Sequence, residues 1–253
     1  MTLSPTERFS SRVEAYIKYR PSYPPEIIDY LILHCGLKPE HSVADIGSGT
    51  GFLSKLFLDN RNPVICVEPN GPMREAAERN LKEYKNFKSV SGRAEATLLR
   101  EKSIDFIAAA QAFHWFDPVL TKKEFLRIAR PGAKIILLWN RRDSEKDPFQ
   151  RGYENFLQSR LPEYSAVTHK KIDENIIRNF FAPSALNTVT FNHFQTFDFD
   201  GLIGRLSSSS YCPEPADPAF SQLREELRLL FNQHQIGGGV RFYYRTDLYW
   251  AGL

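Results

Sequence analysis

The chain has 253 residues, of which 42% are hydrophobic and 25% charged, a composition typical of a globular protein. Its net charge of +3 is too small to indicate a nucleic-acid partner, and no uncharged apolar segment is long enough to span a membrane. Three widely separated cysteines without a C-x-x-C pair argue against a disulfide framework or a zinc site. With no signal-peptide core at the N-terminus, we expect a cytoplasmic protein without a bound metal or a membrane partner.

Two helices separated by prolines are predicted at the start of the chain. Apolar residues share one helical face from Phe9 to Tyr19, and Pro21 stops this helix. A second helix is predicted from Pro25 to Cys35, with Gly36 ending it. The aromatic face of the first helix leaves two interpretations open: a lid that folds over a bound ligand, or a helix that docks on the core.

The segment Ser42–Phe57 combines a short buried strand, a glycine-rich turn and a helix. Small and β-branched residues lead to Asp45, and Gly47, Gly49 and Gly51 follow at intervals of two. Glycine leaves no Cβ, so a ligand can approach the backbone closely. The third glycine comes one residue too early for the G-x-G-x-x-G turn of dinucleotide folds, and G-K-[ST] is absent. The segment predicts a nucleotide-type binding turn, with an ordinary tightly packed βα turn as the alternative.

The D-x-G-x-G-x-G pattern from Asp45 to Gly51 resembles motif I of the class I S-adenosylmethionine (SAM) methyltransferases. An acidic residue and free backbone amides suit the ammonium and carboxylate of the methionine part of SAM. The string Y-x-x-x-R-P-x-Y-P from Tyr16 to Pro24 is similar to the start of methyltransferases in the trans-aconitate methyltransferase-like group. In that group the segment covers the cofactor, which implies Tyr19 and Arg20 as cofactor-binding residues.

The second predicted strand, from Pro63 to Val67, is followed directly by Glu68. An acidic side chain at this place can accept hydrogen bonds from both hydroxyls of a ribose. Methyltransferases and dinucleotide enzymes share this device, so Glu68 predicts an adenosine ligand without choosing between them. Met73 lies in the next predicted helix, where the resemblance implies packing on adenine and the alternative is filling of the core.

The loop Gly92–Ala96, after a predicted strand from Phe87 to Val90, is similar to the G-x-A-E loop of the same family. The resemblance implies that its backbone and the Glu95 carboxylate reach the adenine amino group. The alternative is that Glu95 stabilises the start of a helix through the helix dipole.

A fourth strand is predicted from Ser103 to Ala110, and Gln111 to Trp115 follow it. Ligands of parallel α/β sheets lie at the carboxyl ends of the strands, so His114 should face the site. The H-W pair is shared with trans-aconitate-like and ubiquinone-biosynthesis-like methyltransferases. Methyl transfer mainly needs alignment and exclusion of water, so His114 would act as a base only if the acceptor has to lose a proton. A structural histidine is the alternative.

Arg141 and Arg142 follow a fifth strand predicted from Lys134 to Trp139. A guanidinium group there can hold a carboxylate through two parallel hydrogen bonds. Together with the resemblance to trans-aconitate methyltransferase, whose acceptor is a carboxylic acid, this predicts that both arginines bind an organic-acid acceptor. The alternative is that they cap carbonyls or pair with Asp143 and Glu145.

The rest of the chain is predicted to cover the site and complete the sheet. Residues 145–185 show helical segments without strand signals and are interpreted as a cap insertion. A serine-rich loop that contains Tyr211 is predicted to lie on the substrate side. The remaining predicted elements are a strand at 186–199, a helix at 202–206, a helix at 219–234 and a strand at 240–250.

These elements predict an α/β, Rossmann-like class I methyltransferase fold with helices on both faces of the sheet. The resemblance implies a seven-stranded, mostly parallel sheet of order 3-2-1-4-5-7-6 with the last strand antiparallel. We expect one domain over residues 1–253. Its parts are a lid segment (1–24), a SAM-binding core (25–143), a helical cap insertion (144–185) and the strands and helices that complete the sheet (186–253).

The resemblance implies a SAM-dependent methyltransferase that acts on a small-molecule acceptor and releases S-adenosylhomocysteine (SAH). Alternatives are a non-catalytic SAM-binding protein of the same fold and a nicotinamide-dependent oxidoreductase. The chain has neither a dense basic stripe nor a [DN]-P-P-[YF] sequence, so no nucleic-acid substrate is expected. The oligomeric state is left open.

The predicted cofactor-binding residues are Tyr19, Arg20, Asp45, Gly47, Ser48, Gly49, Gly51, Glu68, Pro69, Met73, Ala94, Glu95, Gln111, Ala112 and Trp115.

Overall fold

The computed structural model describes residues 13–164, 174–214 and 216–253. Its strands are β1 (Val43–Ile46), β2 (Val64–Val67), β3 (Phe87–Val90), β4 (Ile104–Ala110), β5 (Ala129–Arg142), β6 (Asn187–Phe197) and β7 (Val240–Gly252). Its helices include α1 (Val13–Tyr19), α2 (Glu26–Cys35), α3 (Phe52–Asp59), α4 (Gly71–Leu81), α5 (Pro118–Ile128), α6 (Pro148–Arg160), α7 (Glu174–Phe181), α8 (Phe199–Ser207) and α9 (Pro218–His234). Phe9, where the first predicted helix begins, lies outside the described residues, as do residues 165–173 of the predicted insertion.

One seven-stranded sheet has the order β3-β2-β1-β4-β5-β7-β6. Neighbouring strands from β3 to β5 pair in parallel, while β7 is antiparallel to both β5 and β6. The predicted fold class and strand order are confirmed. Parallel strands need long crossover connections, which explains why α3 lies between β1 and β2, α4 between β2 and β3, and α5 between β4 and β5.

Two cores lie on opposite faces of the sheet, as the alternation of side chains along β5 shows. Ile135 and Leu137 pack into a core with Phe125 of α5. Ile136 and Leu138, the intervening residues, pack into a second core that contains α2 and α3. Because strand side chains point alternately to the two faces, helices cover the sheet on both sides, as predicted.

A third core joins α6, α8 and α9 to the ends of β6 and β7. Tyr153 of α6 contacts Phe242 of β7 with ring centroids 4.8 Å apart. Another helix of segment 144–185, α7, instead packs on the sheet, where the ring centroids of Phe180 and Phe113 are 4.7 Å apart. The described helices α6 and α7 of the predicted insertion therefore belong to different cores.

The fifth strand is longer than predicted at both ends. Residues 129–133 are part of β5, and Arg141 and Arg142 are its last two residues rather than the residues after it. At the amino end Ala129 pairs with Ile104 of β4, and at the carboxyl end β7 pairs with β5 as far as Arg142 opposite Tyr244. This long antiparallel ladder satisfies the backbone groups that a shorter strand would leave unpaired.

Two further observations concern the expectations from composition. All three cysteines are free and buried. No helix within the described ranges combines the length and apolar character that a membrane span requires.

Candidate functional site

A cavity of about 1070 Å³ opens at the carboxyl ends of the parallel strands. It is lined by Gly49 after β1, Glu68 after β2 and Gln111 after β4. This is the edge of the sheet where parallel α/β folds bind ligands. The predicted location of the site therefore coincides with this cavity.

The three glycines of the turn have different tasks. A Cβ on Gly49 would meet nothing within 4 Å, and this residue lines the cavity. A Cβ on Gly47 would lie 2.6 Å from Ala112, and one on Gly51 would lie 2.6 Å from Leu81. Gly47 thus permits close approach of the loop after β4, and Gly51 permits packing of α3 on α4. Gly51 does not line the cavity, unlike the prediction, whereas Gly47 and Gly49 do.

The Glu68 carboxylate holds the glycine turn in place. Its Oε2 accepts a hydrogen bond from the Gly49 amide, and its Oε1 accepts one from the Asn70 amide, both at 2.8 Å. Burial raises the pKa of Glu68, and these two hydrogen bonds oppose that rise. Each carboxylate oxygen can accept a further hydrogen bond, so Glu68 retains capacity for two ligand hydroxyls.

Asp45 does not line the cavity, in contrast to the prediction. It is the third residue of β1 and is fully enclosed, and the Ser54 hydroxyl of α3 donates a hydrogen bond to its Oδ2 at 2.6 Å. Burial, with a smaller contribution from Glu68, raises the pKa of Asp45 to about 7. Its Oδ1 is buried and has no hydrogen-bond partner. That oxygen can accept from a cation or a water near the glycine turn.

The three residues that the resemblance assigns to adenine lie on the same cavity, and one of them has a second contact. Met73, Ala94 and Glu95 line the cavity. Glu95 also accepts a hydrogen bond at 2.9 Å from the amide of Asp117, the residue that caps α5. Glu95 therefore combines the position expected of an adenine contact with the structural task named as its alternative.

Gln111 has a backbone conformation that is uncommon for a residue with a side chain. Its φ angle is 56°, and two hydrogen bonds of 2.9 Å hold it: its amide donates to the Leu138 carbonyl, and its side chain donates to the Asn140 carbonyl. Strained residues of this kind cluster at ligand sites. The turn that follows places His114 and Trp115 on the cavity wall, with ring centroids 4.6 Å apart. The side chain of His114 is exposed.

The described part of the N-terminal segment lies along the cavity. The Tyr16 ring stacks on Phe52, directly after the glycine turn, with centroids 6.0 Å apart. The Arg20 guanidinium lies 5.4 Å from the Tyr16 ring, and both residues line the cavity. Tyr19 does not, because its ring packs against Gly204 of α8, where a Cβ would lie 2.2 Å from it. The tyrosine of this segment that lines the cavity is thus Tyr16, not Tyr19 as predicted.

Most of the predicted site residues line one cavity. Ser48, like Tyr19, Asp45 and Gly51, does not; its carbonyl accepts a hydrogen bond from the Gly51 amide at 3.0 Å within the turn. The predicted residues that line the cavity are Arg20, Gly47, Gly49, Glu68, Pro69, Met73, Ala94, Glu95, Gln111, Ala112, His114, Trp115, Arg141, Arg142 and Tyr211.

The two arginines at the end of β5 line the cavity, but each already has a carboxylate partner. Arg141 pairs with Asp247 at 2.5 Å, with 63% of its side chain exposed. Arg142 is mostly buried; it pairs with Glu154 of α6 and donates a hydrogen bond at 2.8 Å to the Tyr164 hydroxyl. Their charges are therefore largely balanced within the protein.

Arg205 of α8 is the most informative cavity residue that the sequence analysis missed. It is only 7% exposed and donates hydrogen bonds to the Tyr244 hydroxyl and to the Ser209 hydroxyl, both at 3.2 Å. A signal existed: Arg205 comes three residues after Leu202 and so lies on the buried face of its helix. A charged residue on that face needs a partner, and the sequence does not show which one.

Comparisons with known proteins agree with this geometry. Residues 44–137 match the family described as a methyltransferase domain. An uncharacterised methyltransferase of Mycobacterium tuberculosis is 37% identical over 135 residues, which are 53% of this chain and 53% of that protein. The chain spans about half the length of the first curated relatives that it matches.

Solved structures show the same fold. A proposed type II methyltransferase from Anaeromyxobacter dehalogenans matches with a TM-score of 0.66 at 21% identity, over 92% of this chain and 98% of that one. Geranyl diphosphate methyltransferase, solved in complex with SAM, matches with a TM-score of 0.51 at 12% identity, over 90% and 85% of the two chains. These likenesses are to the fold alone.

The sheet order and the cavity at its carboxyl edge define the class I methyltransferase fold. Residues 44–137 of the chain match the methyltransferase domain family. The predicted resemblance to class I methyltransferases is thus confirmed. The matches do not single out the trans-aconitate methyltransferase-like group, so that part of the resemblance stays a prediction.

Proposed function

We propose that this protein is a SAM-dependent methyltransferase that acts on a small-molecule acceptor. The observation that carries the proposal is the pairing of Gly49 and Glu68 on the cavity wall, inside the matched domain. This pair places an open backbone surface beside a carboxylate that can still accept two hydroxyl hydrogen bonds.

The residues at this end of the cavity fit SAM. Glu68 would hold the ribose, and Met73 and Glu95 would contact the adenine. The buried, unpartnered Oδ1 of Asp45 gives the nearby turn a negative character that suits the ammonium group. When bound, SAM supplies a methyl group on a positively charged sulfur.

The contribution of the chain to the reaction is alignment and exclusion of water. Tyr16 and Trp115 stand on the wall and would shield the reacting groups. His114 would accept a proton only from an acceptor that has to lose one, and its exposed ring can exchange that proton with solvent.

We extend the proposal to a carboxylic acid as the acceptor and to the cytoplasm as the location. Arginine side chains on the cavity wall support the first, and three free, buried cysteines support the second. The cavity of about 1070 Å³ is of the size that small-molecule sites have, which favours a small acceptor.

The test is Gly49→Val with Gly36→Val as a matched control. Both glycines have positive φ angles, 56° and 67°, and at both a Cβ would meet nothing within 4 Å, but Gly36 only ends α2 and does not line the cavity. Backbone strain should therefore lower the melting temperature similarly in both variants. Only Gly49→Val should lose SAH binding in isothermal titration calorimetry.

Three results would contradict the proposal. The first is wild-type protein that binds NADH rather than SAH. The second is Gly49→Val with unchanged SAH affinity. The third is a protein that binds SAH but forms none from SAM with any member of a metabolite panel, which would favour the non-catalytic alternative.

A further inference from the structure

A buried guanidinium group, that of Arg205, and a half-buried one, that of Arg20, meet at the buried Ser209 beside the cavity. Arg205 donates to the Ser209 hydroxyl at 3.2 Å, and Arg20 donates to the same hydroxyl at 3.4 Å and to the Ser208 carbonyl at 3.0 Å. Arg20 comes from the end of α1 and Arg205 from α8, and both line the cavity. The fold thus brings two positive charges from distant parts of the sequence to one point.

No carboxylate balances these charges in the described ranges 13–164, 174–214 and 216–253. Ion pairs at N···O distances up to 4.0 Å include Arg141 with Asp247 and Arg142 with Glu154, but none of Arg20 or Arg205. Instead, Arg205 is surrounded by phenol groups. Burial raises the pKa of Tyr153, one of these phenols, so it is neutral and supplies no negative charge.

Such an arrangement is costly without an anion. A buried charge is expensive unless it is paired, and two like charges in one site repel each other. Burial and the neighbouring Arg205 together lower the pKa of Arg20. The Nε of Arg20 is also buried without a hydrogen-bond partner. Two guanidinium forks beside an open cavity are well suited to a carboxylate, which accepts parallel hydrogen bonds.

We propose that Arg20 and Arg205 together bind a carboxylate of the methyl acceptor, an assignment that rests on the proposed methyltransferase function. It replaces the predicted pair Arg141 and Arg142 as the main anion contact. The methionine part of SAM also carries a carboxylate and is the other source of this chemistry.

The position of Arg205 favours the acceptor. Its hydrogen-bond partner Tyr244 lies on β7, three strands away from β1 and the glycine turn. At about 4.8 Å per strand spacing, this is roughly 14 Å across the sheet. Tyr211 and Ser210 line the same end of the cavity and add hydroxyl groups. Arg20 lies between the two ends, because it also contacts Tyr16 over the glycine turn.

The experiment is isothermal titration of SAH-saturated protein with glutarate and phenylacetate. Glutaramide and phenylacetamide are the matched neutral probes. We expect wild-type protein to bind at least one acid and neither amide. Arg20→Met and Arg205→Met should each weaken binding of the acid about 10- to 100-fold, the effect of losing a charge-assisted hydrogen bond. Arg130→Met, which removes an exposed arginine paired with Asp105, should leave it unchanged.

The affinities for SAH and for 5′-methylthioadenosine, which lacks the amino-acid part, show whether the bound carboxylate belongs to the acceptor or to the cofactor. If the pair binds the acceptor, both Met variants retain SAH affinity. If either variant weakens SAH as strongly as the acid while methylthioadenosine is unaffected, the carboxylate belongs to the cofactor and the inference is wrong. Arg205→Met also removes the hydrogen bond to Tyr244, so Arg205→Lys, which keeps the charge without the planar fork, is tested beside it and should show an intermediate loss.

The outcomes also separate this inference from the proposed function. Wild-type protein that does not bind SAH would contradict the methyltransferase proposal. Protein that binds SAH but binds acids no better than amides would overturn only the anion site.

Discussion

The two ends of the cavity are built in different ways. The centre of the proposed cofactor end is a backbone turn and the carboxylate that holds it, both within residues 45–68. The acceptor end consists of side chains from the end of α1, from α8 and from β7, which are far apart in the sequence. The first is visible as a motif before the chain folds, whereas the second exists only after folding.

Their charges also differ. Asp45 and Glu68 are buried carboxylates near the proposed cofactor end, whereas the proposed acceptor end has the buried guanidinium of Arg205 and the half-buried one of Arg20. A cavity with negative groups at one end and positive groups at the other can direct a cationic ligand to the first end and an anionic ligand to the second. One binding region can thus contain carboxylates that would favour a cationic cofactor and guanidinium groups that would favour an anionic acceptor.

The largest loss of unfolding free energy is expected for Arg142→Met. This variant measures what a carboxylate partner contributes to a mostly buried arginine, the partner that Arg20 and Arg205 lack among the described residues. The variant leaves the mostly buried Glu154, whose side chain is 15% exposed, without its cationic partner, and the unfolding free energy should fall by about 3 kcal/mol.

Arg160→Met is the control: its side chain is 49% exposed and that of its partner Glu226 is 26% exposed, so loss of this pair should cost less than about 1 kcal/mol. Urea denaturation measures both. Equal losses would show that burial does not separate these arginines.

The next largest effect is the pH dependence of the unfolding free energy that the buried Asp45 causes. The folded pKa of Asp45, about 7, lies above its usual value of 3.8. Its contribution to stability is therefore present below pH 3.8 and is lost as the pH rises through about 7. Between pH 5 and 7 the unfolding free energy of the wild type should fall by about 2 kcal/mol more than that of Asp45→Asn. Parallel pH profiles of the two proteins, by urea denaturation, would refute the raised pKa.

The smallest effect is expected for Tyr16→Leu, which tests how α1 connects the two ends. The substitution removes the ring stacked on Phe52 and the contact with Arg20 but keeps an apolar side chain. If the segment closes over the cofactor, SAH affinity should fall about threefold to tenfold with little change in melting temperature. A lower melting temperature with unchanged SAH affinity would show that α1 is a docking helix. Calorimetry and thermal unfolding give the two quantities.

The strand, the glycine turn and the helix within residues 42–57 were predicted well because these elements are local. Composition and short spacing specify them. Even here the pattern does not tell which glycine faces the ligand, because Gly47 and Gly51 are required by contacts with Ala112 and Leu81, far along the chain. Asp45 was misplaced for the same reason: its partner Ser54 depends on how α3 packs.

The partners of the arginines on the cavity wall could not be predicted, because tertiary packing determines which groups lie beside them. Arg141 and Arg142 follow a run of apolar residues and so were expected in a loop, but pairing with β7 extends the strand and places Asp247 and Glu154 beside them. Arg205 was passed over because its partners are set by the meeting of α8 with β7. Pairings over such long distances in sequence leave no local pattern.

The strand order has a consequence for the synthesis of the protein. β7 follows β6 in the sequence but lies between β5 and β6 in the sheet. While the chain leaves the ribosome, β5 therefore presents an open edge until residues 240–252 are added, and β6 has no neighbour to pair with. Residues 45–68 can form their turn early, whereas Tyr244 reaches Arg205 only when β7 inserts. A ribosome-bound chain can thus complete its cofactor end well before it has any acceptor end at all.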